Sequence, residues 1–274
     1  MRLAIVSDIH ANLEALNSSL REIAAVHVDR IICLGDIVGY NANPSECIAL
    51  LREAGALCIA GNHDRAVTGQ MKTTSFSATA AGALAWTRSR LTADELEFLA
   101  GLPSQLSIED CLVAVHQALH PTGECEMAAL DSEERRRLTF QALMHHPSGA
   151  RICAFGHTHQ VGIYELRDAR LNAHDEQEVP LRHDARYLLN PGTVGQPRSA
   201  ERRATFMLLD TDSKSVSIHR VPYDLRAALV KARKAGLLPP LASIPPPLRS
   251  GLKWGAQKLG LLKLRTHLQG WPNR

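Results

Sequence analysis

Five short motifs bring metal-binding side chains together along the chain. They are Asp8-Ile9-His10, Gly35-Asp36, Gly61-Asn62-His63-Asp64, His116 and Gly156-His157-Thr158-His159. Each contributes a carboxylate oxygen, an imidazole nitrogen or a neutral amide oxygen. That donor mixture suits borderline first-row ions such as Mn²⁺, Fe or Zn²⁺ rather than Ca²⁺ or Mg²⁺. The donors are too many for one ion, and a bridging carboxylate is the usual way to hold two. Two ions about 4 Å apart clamp a phosphoryl group and lower the pKa of a water between them. Taken singly, each motif would be an ordinary polar turn.

The motifs gain weight from the elements that carry them. Each follows an apolar run of strand-like length: Leu3 to Ser7, Ile31 to Leu34, Leu57 to Ala60, Cys111 to Val115, and Arg151 to Phe155. Between the first runs the pattern turns helical. Asn12 caps a helix with Leu13, Leu16, Leu20 and Ile23 on one face, and Asn43-Pro44-Ser45-Glu46 opens another. Strand, helix, strand, helix, strand implies parallel pairing, with the motifs on one sheet edge. Asp8 and His10 are two apart, so an extended segment points both side chains the same way.

Further along, residues 75 to 100 are helical in pattern, with a capping box at Thr92 and Glu95. A hairpin turns at Glu109-Asp110, and a helix starts at Asp131-Ser132-Glu133-Glu134. From Val161 to Val221 the pattern alternates over 161–166, 186–190, 204–210 and 215–221, which predicts a second sheet packed face to face on the first.

D-x-H, G-D, G-N-H-D, a strand-terminal His and G-H-T-H, in this order over roughly residues 1 to 221, resemble the calcineurin-like metallophosphoesterase superfamily. Asn190-Pro191-Gly192-Thr193-Val194-Gly195-Gln196-Pro197-Arg198 also resembles a loop of its small bacterial phosphodiesterase-like branch. The resemblance implies an α/β fold of four layers, two packed mixed β-sheets flanked by helices, with a dimetal site at the carboxyl ends of the strands. It implies one ion held by Asp8, His10, Asp36 and His159, and a second held by Asp36, Asn62, His116 and His157, with Asp36 bridging. His63 and Asn62 would steady the transition state, and His63 would alternatively protonate the leaving oxygen. The ions would be Mn, Fe, Zn or Ni, with Mn or Fe/Zn favoured.

The expected activity is hydrolysis of a phosphodiester of small-molecule or nucleotide type by a hydroxide between the ions. Phosphomonoesters, dinucleoside polyphosphates, a non-catalytic metal-binding scaffold and a nucleic-acid enzyme are the alternatives. The protein-phosphatase branch carries an Asp-Arg pair after the bridging Asp, whereas this chain reads Ile37-Val38-Gly39-Tyr40, which disfavours that branch. After His116, Gln117-Ala118-Leu119-His120-Pro121 stands where a small Gly-Ser loop is expected. Asp64 and Asn190 are ligand candidates, or else orient His63 and the Gly156–His159 loop. Arg198 either binds substrate phosphate or balances an acidic body, the second being favoured. His120, His145, His146, His174 and His183 sit in polar, turn-like surroundings and read as incidental.

The 274 residues carry a net charge of +3, unevenly spread. Ten Lys and Arg and no acid follow Asp224, which leaves residues 1–224 at −7. We expect a metallophosphoesterase domain over 1–225 and a basic extension over 226–274, entered through a Pro-rich linker at 239–247. Membrane-surface or nucleic-acid contact by the tail is open but less favoured than folding back on the acidic body; oligomeric state is undetermined. Six cysteines without a C-x-x-C pair, three of them (Cys33, Cys58, Cys153) in strand-like runs, indicate free thiols in a reducing compartment. With no signal peptide and no apolar run of about 18 residues, a cytoplasmic protein is expected.

Overall fold

A computed structural model describes residues 1–119, 129–198 and 201–237. The Pro-rich linker, the basic tail beyond it and His120 lie outside the described residues. In chain order the elements are β1 (Arg2–Val6), α1 (Leu13–Ala25), β2 (Arg30–Cys33), α2 (Pro44–Glu53), β3 (Leu57–Cys58) and α3 (Asn62–Thr68). Then follow α4 (Ala78–Arg88), α5 (Ala93–Ala100), β4 (Gln105–Ile108), β5 (Leu112–Val115), α6 (Glu133–Met144) and β6 (Ile152–Ala154). The rest comprises β7 (Val161–Arg167), β8 (Arg170–His174), β9 (Glu178–Pro180), β10 (Arg186–Pro191), β11 (Ala204–Asp210), β12 (Ser215–Val221) and α7 (Leu225–Lys234).

The strands form two sheets, ordered β3-β2-β1-β11-β12-β9 and β4-β5-β6-β10-β7-β8. In each, three adjacent strands are parallel: β1, β2 and β3 in the first, β5, β6 and β10 in the second. The remaining pairs are antiparallel. The alternating strands of residues 161–221 therefore do not make a sheet of their own. β11 and β12 extend the first sheet and β7 and β10 the second, because the apolar faces of both sheets need neighbours on their antiparallel side.

Strand periodicity sorts the core into three layers. Leu3, Ile5, Ile32 and Leu34 point between the sheets, where they meet Leu112, Ala114, Ile152, Tyr187, Met207 and Leu209. Ala4, Val6, Cys33 and Phe206 face the other way, onto Leu16, Ile23, Ile48 and Leu51 of α1 and α2. Val113, Cys153, Phe155 and Leu188 cover Phe140 and Leu143 of α6. Helix, sheet, sheet, helix is the four-layer result.

Local signals account for the helices. Asn12 Oδ1 accepts from Ala15 N (3.1 Å) at the start of α1, and the capping box of α5 forms, with Glu95 Oε2 2.7 Å from Thr92 N. The apparent strand 57–60 pairs only at Leu57 and Cys58 before the chain turns. α7, to which the sequence reading assigned no element, buries Ala228 and Ala232 and ion-pairs Lys231 with Glu14 of α1. Among the described residues no helix is long and apolar enough to cross a membrane. The cysteines described are all free, with Cys33, Cys47, Cys58 and Cys153 buried.

Candidate metal centre

The parallel strands of both sheets deliver their carboxyl ends to one place. Asp8 and His10 follow β1, Asp36 follows β2, and Asn62, His63 and Asp64 begin the helix after β3. His116 follows β5, His157 and His159 follow β6, and Asn190 lies within β10. All but His157 are buried. Binding at carboxyl edges where strand direction changes is the rule for such sheets.

The backbone that turns these side chains inward is not extended. Asp8 (φ +54°), His10 (+49°), Asp36 (+52°), His157 (+65°) and His159 (+60°) all lie in the left-handed region. Asp8 and His10 thus converge through a tight turn, not through strand alternation as the sequence spacing suggested. Such conformations cost about 1–3 kcal/mol each and persist only where the surroundings enforce them. Here the enforcement is visible as backbone hydrogen bonds: His10 N donates to Asp36 O at 2.9 Å, Asp8 N to Gly35 O at 3.1 Å and Gly195 N to Asp8 O at 3.0 Å. Gly61 permits a close approach, since a β-carbon there would collide with the backbone and carboxylate of Asp36.

Each carboxylate has one oxygen anchored and one presented. Asp8 Oδ2 accepts from Ser7 Oγ (2.7 Å) and His157 N (3.0 Å), while Oδ1 is buried without a hydrogen-bond partner. That free oxygen lies 3.1 Å from His159 Nε2 and 3.7 Å from His10 Nε2. Asp36 Oδ1 accepts from His63 N at 2.8 Å, leaving Oδ2 at 3.4 Å from His116 Nε2 and 3.6 Å from His10 Nε2.

The imidazoles are oriented the same way. His10 Nδ1 donates to Val38 O (3.2 Å), His116 Nδ1 to Leu34 O (2.6 Å) and His159 Nδ1 to Gln196 O (2.7 Å). A carbonyl only accepts, so each Nδ1 carries a proton and each Nε2 is the nitrogen turned toward the centre. Yet His10 Nε2 and His159 Nε2 lie 3.1 Å apart, and His116 Nε2 lies 3.1 Å from Asn62 Oδ1. Nitrogen facing nitrogen, and nitrogen facing amide oxygen, beside an orphaned carboxylate oxygen call for positive charge between them, either a proton or a cation. A divalent ion supplies it, so the residues fit a metal. Two groups emerge, Asp8/His10/His159 and Asp36/His116/His157, with ligand atoms within 4.8 Å of one another inside each group. Asn62 Oδ1, 2.9 Å from His157 Nδ1, adjoins the second.

Electrostatics agree with that demand. Burial opposes the charge on Asp8 and Asp36, but the facing imidazoles hold both carboxyls below the usual range. Burial alone would lower His116, yet the Asp36 carboxylate outweighs it and lifts the ring to about 9. Burial pushes His157 and His63 down to about 4 and His10 well below its ordinary value.

His63 shares a third group with His10 and Asp36, so its ring stands as near the centre as the expected ligands do. Asp64 does not orient that ring. Its carboxylate accepts the backbone N–H groups of Gly61 (2.9 Å), Val38 (3.2 Å) and Ile37 (3.3 Å), clasping the Asp36 loop to the start of α3. Burial, then the charge of Asp36, push its carboxyl up to about 7 against those donors. Asn190 holds the Gly156–His159 loop, through Gly156 O (3.1 Å) and Thr158 Oγ1 (2.9 Å). Arg198 is exposed, and its charge opposes the upward push that burial exerts on the Tyr40 phenol.

Sequence reasoning missed Ser7, Tyr40, Thr193 and Gln196. Thr193 Oγ1 donates to Asp8 O at 2.7 Å, and the Tyr40 ring lies 4.8 Å from His10 and 4.7 Å from His63. Their only signal was membership of the run before Asp8, for Ser7, and of the stretches after Asp36 and Asn190 for the others. His145 is exposed; His146 bonds Gln105 and Ser148; His174 faces Glu165 and Glu176; His183 is exposed, and these four lie outside the groups above.

Two mixed sheets whose parallel strands converge on an Asp, Asn and His cluster define a metallophosphoesterase. The chain belongs to the calcineurin-like phosphoesterase superfamily, whose domain model matches residues 1–214. It is 34% identical to an uncharacterized protein of Methanocaldococcus jannaschii over 239 residues, covering 85% of this chain and 92% of the relative. A metallophosphoesterase from Sphaerobacter thermophilus superposes with a TM-score of 0.71 at 34% identity, covering 87% of this chain and 95% of that structure. A hypothetical protein of Pyrococcus horikoshii shares the fold with a TM-score of 0.66 at 17% identity, over 86% of this chain and 94% of that one. The family comprises phosphoric ester hydrolases that typically bind divalent metals.

Proposed function

We propose that this chain is a two-metal phosphodiesterase acting on small-molecule or nucleotide-type esters. The observation that carries the reading is the presented oxygen of Asp36, which lies between His10 on one side and His116 on the other. A carboxylate so placed serves both ligand groups. Asp8, His10 and His159 would hold one ion and Asn62, His116 and His157 the other, with Asp36 shared. The donor set favours Mn or Fe/Zn, with Ni also accommodated. When bound, such ions polarise a phosphoryl oxygen and lower the pKa of water.

The residues of the chain supply the rest. Asp64 and Asn190 fix the loops that carry Asp36 and His157. His63 and Asn62 stand beside the shared carboxylate, where they hydrogen-bond charge developing on the phosphoryl oxygens. The residues after Asp36, Ile37-Val38-Gly39-Tyr40, supply no arginine for the second negative charge of a monoester, and this supports a diester. The free, mostly buried cysteines support a cytoplasmic setting. A catalytic domain over 1–225 followed by a basic extension remains our division of the chain.

The test is turnover of bis(p-nitrophenyl) phosphate against p-nitrophenyl phosphate by metal-stripped protein, with Mn²⁺, Zn²⁺, Ni²⁺ and Mg²⁺ added separately. Metal-dependent preference for the diester is expected. Preference for the monoester overturns the substrate class, and bound metal without turnover of either overturns the enzyme.

A further inference from the structure

Thr193 is fixed by its backbone before its hydroxyl makes any bond. Its N–H donates to Thr205 Oγ1 at 2.9 Å, and its carbonyl accepts from Thr205 N at 3.0 Å. Gly192 before it is left-handed (φ +83°), and a β-carbon there would collide with Thr205 Oγ1 and Val161. The buried hydroxyl then works in both directions: it donates to Asp8 O at 2.7 Å and accepts from Gln196 N at 2.9 Å.

Those two bonds join the turn that carries Asp8 to the loop that holds His159. Asp8 is left-handed, a conformation that persists only where its surroundings enforce it, and its carbonyl is gripped by Thr193 Oγ1 and by Gly195 N at 3.0 Å. Gln196 O receives His159 Nδ1 at 2.7 Å. Asn41 Nδ2 donates to His10 O at 2.8 Å and reaches Gln196 Oε1 at 3.4 Å. Asp8, His10 and His159, one complete ligand group, are thus tied to residues 193–196, His10 by way of Asn41.

The other group is anchored elsewhere. His116 Nδ1 donates to Leu34 O, His63 N holds Asp36 Oδ1, and Asn190 holds the loop of His157. The two groups do touch, where His157 N donates to Asp8 Oδ2 at 3.0 Å. That bond uses the carboxylate of Asp8, not the carbonyl that Thr193 grips.

We propose that Thr193 is a positioning residue for one of the two ions: its hydroxyl, locked between Asp8 and Gln196, sets the geometry of the Asp8/His10/His159 group and leaves the Asn62/His116/His157 group unaffected. This rests on the two-metal reading above and deepens it.

The experiment titrates metal-stripped, full-length protein with Mn²⁺ and follows unbound Mn²⁺ by electron paramagnetic resonance. His159→Gln and His116→Gln identify which binding step belongs to which group. Thr193→Val replaces the hydroxyl with a methyl of similar shape and keeps the backbone bonds to Thr205; Thr193→Ala serves if that variant does not fold. We expect the step lost in His159→Gln to weaken about 10-fold in Thr193→Val, the scale for a residue that orients a metal ligand. The step lost in His116→Gln should stay within about 3-fold, and Thr193→Ser should restore both to the wild-type values. Equal weakening of both steps, as a merely structural role predicts, overturns the proposal, as does weakening of neither or of the His116 step alone. Turnover of bis(p-nitrophenyl) phosphate by Thr193→Val should need about 10-fold more Mn²⁺ for half its maximal rate, with kcat at saturating Mn²⁺ within about 3-fold of the wild type. Two bound ions without turnover overturn the phosphodiesterase reading, whereas the titration still decides the role of Thr193. A wild type that binds one ion overturns the two-metal reading; Thr193 keeps its role if that ion is lost in His159→Gln and weakened in Thr193→Val, and loses it otherwise.

Discussion

Replacing Asp64 with alanine tests whether a backbone clasp assembles the centre. The carboxylate is fully buried and accepts three backbone N–H groups, from Gly61 (2.9 Å), Val38 (3.2 Å) and Ile37 (3.3 Å). Alanine removes all three acceptors, and a buried unsatisfied N–H costs about 1–3 kcal/mol. Two terms reduce the total. The carboxyl is pushed up to about 7, so its own burial is unfavourable and deleting it recovers part of the loss. The Ile37 and Val38 bonds are also long. A net destabilisation of about 3–5 kcal/mol follows. Asparagine keeps an oxygen for Gly61 and Ile37 but turns its NH₂ toward Val38 N, for a cost of about 1–2 kcal/mol. Urea denaturation of the metal-free protein measures both, with an unchanged slope confirming that only stability moved. Metal affinity should fall about 10- to 100-fold in Asp64→Ala, because the Asp36 loop loses its support. A loss below about 1 kcal/mol in Asp64→Ala, or equal losses in the two variants, refutes the clasp.

Other expectations are equally direct. Asp36→Asn should cut Mn²⁺-dependent turnover by about 100-fold or more while leaving a folded protein, and elemental analysis should find less than the wild-type metal content. Gly61→Ala forces a β-carbon onto Asp36, so thermal unfolding should report a loss of about 1–3 kcal/mol. Tyr187 is buried away from the centre; burial and its hydrogen bond to Glu165 (3.0 Å) raise its phenol to about 12. The folded state favours the neutral phenol, so this contribution to stability is whole below pH 10 and is lost as pH rises toward 12. Burial raises Tyr40 and Tyr223 as well, so absorbance titration of the tyrosines should show a spread whose last step, near pH 12, is the one that Tyr187→Phe removes.

The sequence by itself determined the parts that are local. Residue type marked Asp8, His10, Asp36, Asn62, His116, His157 and His159 as donors, and apolar runs before them placed each at a strand end. Helical periodicity and capping chemistry located α1, α2 and α5, because those signals act within a few residues. It did not reveal α7, whose exposed face is basic enough to read as a tail until Ala228 and Ala232 are seen against α1.

Only the tertiary structure decided the rest, and the reason is distance along the chain. Which sheet β11 and β10 join depends on partners about 200 and 35 residues away, through Leu3 opposite Leu209 and Leu188 opposite Cys153. The left-handed turns at Asp8, His10, Asp36, His157 and His159 carry no sequence mark, since none of these residues is glycine. They are imposed by hydrogen bonds from remote loops, as when Gly195 N reaches Asp8 O. Asp64 shows the difference most clearly. Its type suggested a ligand or a support for its neighbour His63, but its partners at Ile37 and Val38 exist only once two separate strand ends are packed side by side.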